Sequence, residues 1–272
     1  MSNKNFRRLH EDFLLLPNAW DAGSARLIES LGATAIGTTS AGVAWSRGYP
    51  DGDALPPEQL GAVALEIARA IRVPFTIDIE GGYSDDAAIV ADIVLGIIDA
   101  GASGINIEDG ASSPDLLCAK IEAARQISTR ANVDLFINAR TDVFLRELAT
   151  GEAAVEEVLR RAKLYRDAGG DGLFVPGLSD GSTIEIVARA IDPMPLNIML
   201  VPGLSTIDAL RKLGVRRLSA GAAMAQAALG LISRLAQNFL DGSWTEMFAN
   251  PADYGTTNRL FDFDDREGSS AA

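Results

Sequence analysis

The chain has 272 residues with 37 acidic against 24 basic side chains, one histidine and one cysteine, and a net charge of −13 at pH 7. So acidic a protein argues against nucleic acid, whose phosphates need a basic stripe, and a lone cysteine excludes an intrachain disulfide or a multi-cysteine metal site. Residues are 47% apolar without a Pro-, Ser- or charge-dominated linker, and the length suits one α/β barrel of about 250 residues.

Residues 1–12 are polar and mixed in charge, without the apolar core or cleavage site of a secretory leader, and His10 reads as a surface residue of an N-terminal arm. With a single cysteine, this suits a reducing cytoplasm. Short apolar runs then alternate with stretches of helical period: 13–16 with 25–31, 34–39 with 57–71, 74–79 with 85–100, and 104–107 with 115–128. The alternation continues as 134–138 with 152–168, 172–175 with 182–191, 196–201 with 206–213, and 217–219 with 224–240. The helices end near turn signals such as Gly32, Gly101, Gly169-Gly170 and Gly214. Eight strands matched by eight helices predict a (β/α)8 TIM-type barrel. A doubly wound open sheet is the weaker alternative, because no Gly-x-Gly-x-x-Gly follows the first strand.

The most apolar stretch, 87–105, carries Asp92 and Asp99 and reads as helix then strand, so no membrane association is expected. Beyond 240, Trp244, Phe248, Tyr254 and Phe261 need a surface to cover, on the chain's own barrel or on a neighbouring subunit, and the last five residues are expected to be disordered. The division is therefore an arm (1–12), one barrel domain (13–240) and a C-terminal extension (241–272).

In such barrels the strand C-termini carry the chemistry. Asn18, Trp20 and Asp21 follow the first strand and Thr38, Thr39 and Ser40 the second. Asp78 and Glu80 end the third, Glu108 and Asp109 the fourth, Arg140 and Asp142 the fifth, and Asn197 lies near the seventh. Burying Asp78, Glu80 and Glu108 together is unfavourable unless a cation sits among them, and Mg2+ (or Mn2+) suits an all-oxygen set. Any one of these acids taken alone more often caps a helix or pairs with a lysine; three together shift the balance. The spacing of two puts Asp78 and Glu80 on one face of their strand. Arg140 either neutralises these acids or holds a substrate carboxylate in bidentate fashion, the second being preferred.

The segments Leu16-Pro17-Asn18-Ala19-Trp20-Asp21, Ala35-Ile36-Gly37-Thr38-Thr39-Ser40, Asp78-Ile79-Glu80-Gly81-Gly82-Tyr83, Asn106-Ile107-Glu108-Asp109 and Asn138-Ala139-Arg140-Thr141-Asp142 follow one another in order. Together they resemble the isocitrate lyase/phosphoenolpyruvate mutase superfamily over nearly the whole barrel. The resemblance implies that Asp78 touches Mg2+ directly, that Asp51, Glu80 and Glu108 hold its waters, and that Arg140 takes the substrate carboxylate. It also implies that Thr39, Ser40 and Ala41 contact that carboxylate, partly through backbone N–H groups. Exchange of helix eight between subunits, in a homodimer or homotetramer, is implied as well.

The lyase branch of that superfamily has a Lys-Lys/Arg-Cys-Gly-His loop after strand four, where this chain has Gly110-Ala111-Ser112-Ser113-Pro114-Asp115. Cys118 nearby reads as a small apolar helix residue. Glu80 stands where aspartate is commoner, and Ser84 where glycine is usual. With a single histidine, serine–histidine hydrolysis is not expected. The expected activity is therefore a Mg2+-dependent carbon–carbon lyase or decarboxylase on a small α-keto or 2-hydroxy dicarboxylate, through an enolate-type intermediate. Asp51, Glu108 and Arg140 are the expected catalytic groups, and Thr39, Ser40, Ala41, Arg140 and Asn197 the substrate contacts. The alternatives are a phosphonopyruvate-type mutase or hydrolase and a non-catalytic keto-acid-binding barrel.

Overall fold

The computed structural model describes residues 4–262. Its strands are β1 (Leu14–Leu16), β2 (Asn18–Ala19), β3 (Ile36–Thr38), β4 (Phe75–Asp78), β5 (Gly104–Glu108), β6 (Phe136–Arg140), β7 (Gly172–Phe174), β8 (Leu196–Met199) and β9 (Val215–Ser219). All pairings are parallel, in the order β1-β9-β8-β7-β6-β5-β4-β3-β2. β1 pairs with β9 and β2 with β3, so the two ends of that order are halves of one strand broken at Pro17. Proline has no N–H to donate to a ladder, which explains the break. Counted as one, they complete the eight positions of an α/β TIM-type barrel.

The surrounding helices are α2 (Ala22–Ser30), α4 (Pro57–Ala70), α5 (Ala87–Asp99), α6 (Pro114–Arg130), α7 (Gly151–Asp167), α8 (Gly181–Ile191) and α9 (Ile207–Lys212). Side chains of Asp21, Asp86, Ser113, Asp180 and Thr206 accept first-turn N–H groups, and proline opens α4 and α6 where no N–H is needed. α4 shows how the faces are set: Leu60, Val63, Ala64 and Ile67 recur at helical spacing and are all buried in the core.

Two helices differ from the sequence expectation. α3 (Ser40–Ser46) occupies what reads as strand end and loop, and α1 (Lys4–Arg8) forms within the arm. The arm closes the N-terminal end of the barrel. Phe6 is fully buried edge-on to Phe136, and Arg7 pairs with Asp134 and Asp171 at 2.7 Å. His10 is therefore not a surface residue. It is 6% exposed and stacks on Phe136 at 4.1 Å, because the ring is more favourably packed on that face than hydrated.

α10 (Ala223–Leu240) buries only Ala225, while Leu229, Leu231, Ile232, Phe239 and Leu240 stay exposed. Beside it an apolar groove of about 750 Å3 runs along β1 and α2, lined by Leu15, Ile28, Leu31, Leu200, Leu218 and Met224. A 3-10 turn (Thr245–Phe248) and α11 (Tyr254–Leu260) follow, held to α2 by Arg26 Nε donating to the Leu260 carbonyl at 2.8 Å. Trp244, Phe248 and Tyr254 remain exposed. The end of the chain, where disorder is expected, lies outside the described residues. Among those residues no helix is long and apolar enough to cross a membrane.

Candidate active site

Asp78 and Glu108 close their strands, but Glu80 falls two residues past β4 in left-handed backbone, so the expected two-residue strand spacing does not set its direction. Asp78 closes β4, and its backbone N–H donates to Thr38 Oγ1 at 2.8 Å. Its Oδ1 accepts from the Glu80 N–H at 3.0 Å and its Oδ2 from Asn106 Nδ2 at 3.1 Å. Burial pushes the Asp78 carboxyl upward, Arg140 and these two donors oppose the shift, and Asp51 adds to it. Asp51 itself stands on an exposed loop, close enough for its charge to act on both Asp78 and Glu80.

Glu80 lies just past the strand in the left-handed region (φ 52°), as do Asp53 (φ 57°) and Tyr83 (φ 58°). Such backbone is costly for these residue types and persists where surrounding bonds hold it. Here they form a reciprocal clasp. Glu80 Oε2 accepts from the N–H groups of Gly52 (2.7 Å) and Asp53, and its Oε1 from the Tyr83 hydroxyl at 3.0 Å. Asp53 Oδ1 in turn accepts from the N–H groups of Gly81 and Tyr83 at 3.1 Å each. A Cβ on Gly81 would come within 2.7 Å of Asp53 Oδ2, so a side chain there would displace the Asp53 carboxylate from the clasp.

Glu108 closes β5 and pairs with Arg140 of β6, directly opposite in register, at 2.5 Å. Burial and the neighbouring Asp78, Asp142 and Glu80 push Glu108 up to about 8, against the pull of Arg140. Arg140 is fixed from behind by fully buried Asp142, whose two oxygens take its Nε at 2.6 Å and Nη2 at 3.1 Å. Asp142 also accepts from Arg146 at 2.9 Å, and its N–H donates to Asp109 Oδ1. Asp109 in turn takes Arg161 Nη1 at 2.7 Å and the Tyr165 hydroxyl at 2.5 Å, both from α7. Arg140 is thus anchored through two buried aspartates to a barrel helix.

Thr39 is the N-cap of α3, with Ser40 and Ala41 in its first turn, where helix N–H groups lack intrahelical acceptors. Asn197, on β8, pairs in register with Arg217 of β9. Over Glu108 the mouth forms a cavity of about 220 Å3 bounded by the short 110–112 loop, with Lys120 and Arg146 on its wall. Cys118 sits on α6 packed on the core, its thiol pushed upward by burial, the wrong direction for a reactive thiolate.

The structure therefore brings Asp78, Glu80, Glu108 and Arg140 into one cluster, with Asp51 at its edge, Thr39, Ser40 and Ala41 at the start of α3 just past β3, and Asn197 buried within β8. Sequence reasoning did not assign roles to Asp53, Asn106, Asp109, Asp142, Lys120, Arg146 and Arg217. Asn106 carried a signal: it is a polar residue two positions before strand-end Glu108, on the inward face of an otherwise apolar strand.

Among the described residues no three His, Cys, Asp or Glu side chains form a ready-made metal cage. The donor set, carboxylate oxygens in excess over one arginine, fits a hard cation that keeps its waters and takes one or two carboxylates directly. A (β/α)8 barrel with buried acids and an anchored arginine at its strand C-termini defines the class. The chain belongs to the phosphoenolpyruvate phosphomutase family, whose profile matches residues 6–240, and so to the isocitrate lyase/phosphoenolpyruvate mutase superfamily of carbon–carbon lyases and mutases. An uncharacterized Mycobacterium tuberculosis protein is 37% identical over 98% of this chain and all of its own length. A solved chain from Burkholderia cenocepacia is 39% identical, covering 87% of this chain and 99% of its own, with a TM-score of 0.82. The oxaloacetate decarboxylase of Pseudomonas entomophila is 30% identical over 73% of this chain and 70% of its own.

Proposed function

We propose that this protein is a divalent-cation-dependent carbon–carbon lyase or decarboxylase acting on a small α-keto or 2-hydroxy dicarboxylate. The observation that carries the reading is the pairing of buried Asp78, among further acids, with an Arg140 whose fork is fixed by Asp142. Asp78 would hold the cation directly, with Asp51, Glu80 and Glu108 on its waters. A bound Mg2+ or Mn2+ would supply Lewis-acid polarisation of the substrate's carbonyl and carboxylate oxygens.

The chain's own groups bind and orient. Arg140 and the first-turn N–H groups of Ser40 and Ala41 hold the substrate carboxylate, and Asn197 offers a further polar contact. With an α-keto dicarboxylate, the bond between C3 and the distal carboxylate breaks and that carboxylate leaves as CO2. The electron pair forms the C2–C3 double bond of an enolate, its charge on the C2 oxygen where positioned charge stabilises it. A product that leaves as an enolpyruvate-like species needs no cysteine, which suits the 110–115 loop. The likeness to oxaloacetate decarboxylase supports this choice of bond.

A second reading has one specific observation behind it. Lys120 and Arg146 on the mouth cavity could receive a phosphonate instead of a distal carboxylate, so phosphonopyruvate-type mutase or hydrolase chemistry is the alternative. NMR of Mg2+-supplemented mixtures separates the two. Carbon spectra with oxaloacetate should show enzyme-dependent pyruvate, and phosphorus spectra with phosphonopyruvate should stay unchanged. The reverse pattern selects the alternative, and binding without product in either mixture leaves a keto-acid-binding barrel.

We further infer a homodimer or homotetramer in which α10 of one subunit covers the β1–α2 groove of another. The exposed apolar face of α10 and the open groove beside it support this exchange.

A further inference from the structure

Beneath the acids the barrel interior is polar where barrels are ordinarily filled by branched apolar side chains. Arg217 of β9 is fully buried there, with its Nη1 unpartnered among the described residues. A buried cation so incompletely paired is a poor device for stability. What it does have is direction. A guanidinium can only donate hydrogen bonds, whereas an amide can turn over and a hydroxyl can rotate.

We propose that Arg217 is a positioning residue that sets the donor–acceptor polarity of this layer, so that Asn106 donates to Asp78 and Asn197 presents its amide N–H groups to substrate. The inference rests on the site reading above and deepens it.

The first branch runs to Asp78. Arg217 Nη2 donates to Asn106 Oδ1 at 3.1 Å, and Asn138 Nδ2 donates to the same oxygen at 2.9 Å. With its carbonyl so occupied, Asn106 can face Asp78 only with Nδ2, which donates to Asp78 Oδ2 at 3.1 Å. The flipped amide would set a carbonyl oxygen against a carboxylate and an N–H against the guanidinium, two repulsive contacts at once. Asp78 is thereby held with one oxygen on Asn106 and the other on the Glu80 N–H.

The second branch runs to Asn197. Arg217 Nε donates to Ser219 Oγ at 3.2 Å, which leaves the single Ser219 hydroxyl proton for Asn197 Oδ1 at 3.1 Å. Asn197 Nδ2 is then the far end of the relay, and it is a buried donor without a partner among the described residues. The register of β8 and β9, with Asn197 opposite Arg217, makes this short relay possible. A substrate oxygen is the acceptor that this donor lacks.

The test uses the intact protein with Mn2+ as metal probe, followed by electron paramagnetic resonance, and oxalate as ligand probe, titrated calorimetrically into Mn2+-loaded protein. Arg217→Met should weaken Mn2+ binding by about tenfold, the low end of the range for losing a metal ligand's hydrogen-bond partner because Arg217 acts on Asp78 through Asn106, and oxalate binding with it. Ser219→Ala cuts only the second branch, so it should leave the Mn2+ affinity within about twofold while weakening oxalate about tenfold. A general loss of structure would not produce that split. Parental binding of both probes by folded Arg217→Met, or an equal loss of both by Ser219→Ala, overturns the proposal. Should Arg217→Met fail to fold, the Ser219→Ala split alone decides. A parent protein that binds neither probe removes the site reading instead, and this inference with it.

Discussion

Side chains at this site act largely through what fixes them. Arg140 presents a planar fork because Asp142 grips it from behind, and Arg140→Lys keeps the charge but loses the fork. Calorimetry of oxalate binding in the presence of Mg2+ should show that variant weakened about tenfold or more, the scale of a lost charge-assisted hydrogen bond. Glu80 reaches both the 52–53 N–H groups and the Tyr83 hydroxyl. Glu80→Asp, one methylene shorter, cannot span both, so hydrogen exchange should quicken at Gly52 and Asp53 while amides of the β5 core stay protected. Unchanged exchange would mean that the clasp does not hold the loop. Much of this was legible in the sequence: the apolar runs ending in Asp78, Glu108 and Arg140 announce a polar mouth. Asp53 was not, because its role depends on left-handed backbone and on a loop some thirty residues away in sequence. Arg217 follows Arg216 directly, and only the strand register tells which of the two points inward.

Among the elements, the alternation of short apolar runs with helical period located the barrel strands, apart from the β2 half beyond Pro17, and the eight helices α2 and α4 to α10. Pro17 splitting the first strand could be anticipated from its missing N–H, whereas burial of the arm could not, since α1 is short and polar except for Phe6 and gains its place from Phe136 far along the chain. That burial has a pH signature. Desolvation and the nearby Arg217 lower His10 from 6.5 to about 3, against the pull of the Phe6 carbonyl. The folded protein thus keeps His10 neutral while the unfolded chain protonates below 6.5. The stability from this site is complete above pH 6.5 and is lost as pH falls toward 3, by about 1.4 kcal/mol per pH unit. Urea unfolding at pH 6.5 and pH 5 should show this loss in the parent and a smaller one in His10→Phe, which keeps the stack on Phe136. Equal losses would place His10 in water.

The whole molecule leaves one long helix with its apolar side uncovered. Exposed Ile232 and Phe239 on α10, and the open groove beside β1, suit a subunit interface far better than a monomer surface. Light scattering should give the mass of a dimer or tetramer, and Ile232→Asp with Phe239→Asp should shift it toward the monomer. A monomeric parent would contradict the exchange. The central claim concerns the acids at the barrel mouth, and calorimetric titration of Mg2+ with oxalate into the parent and into Asp78→Ala tests it most directly. The parent should bind oxalate only when Mg2+ is present, and Asp78→Ala, equally folded by its melting curve, should not bind it at all. Metal-independent binding by the parent, or undiminished binding by Asp78→Ala, would contradict the account.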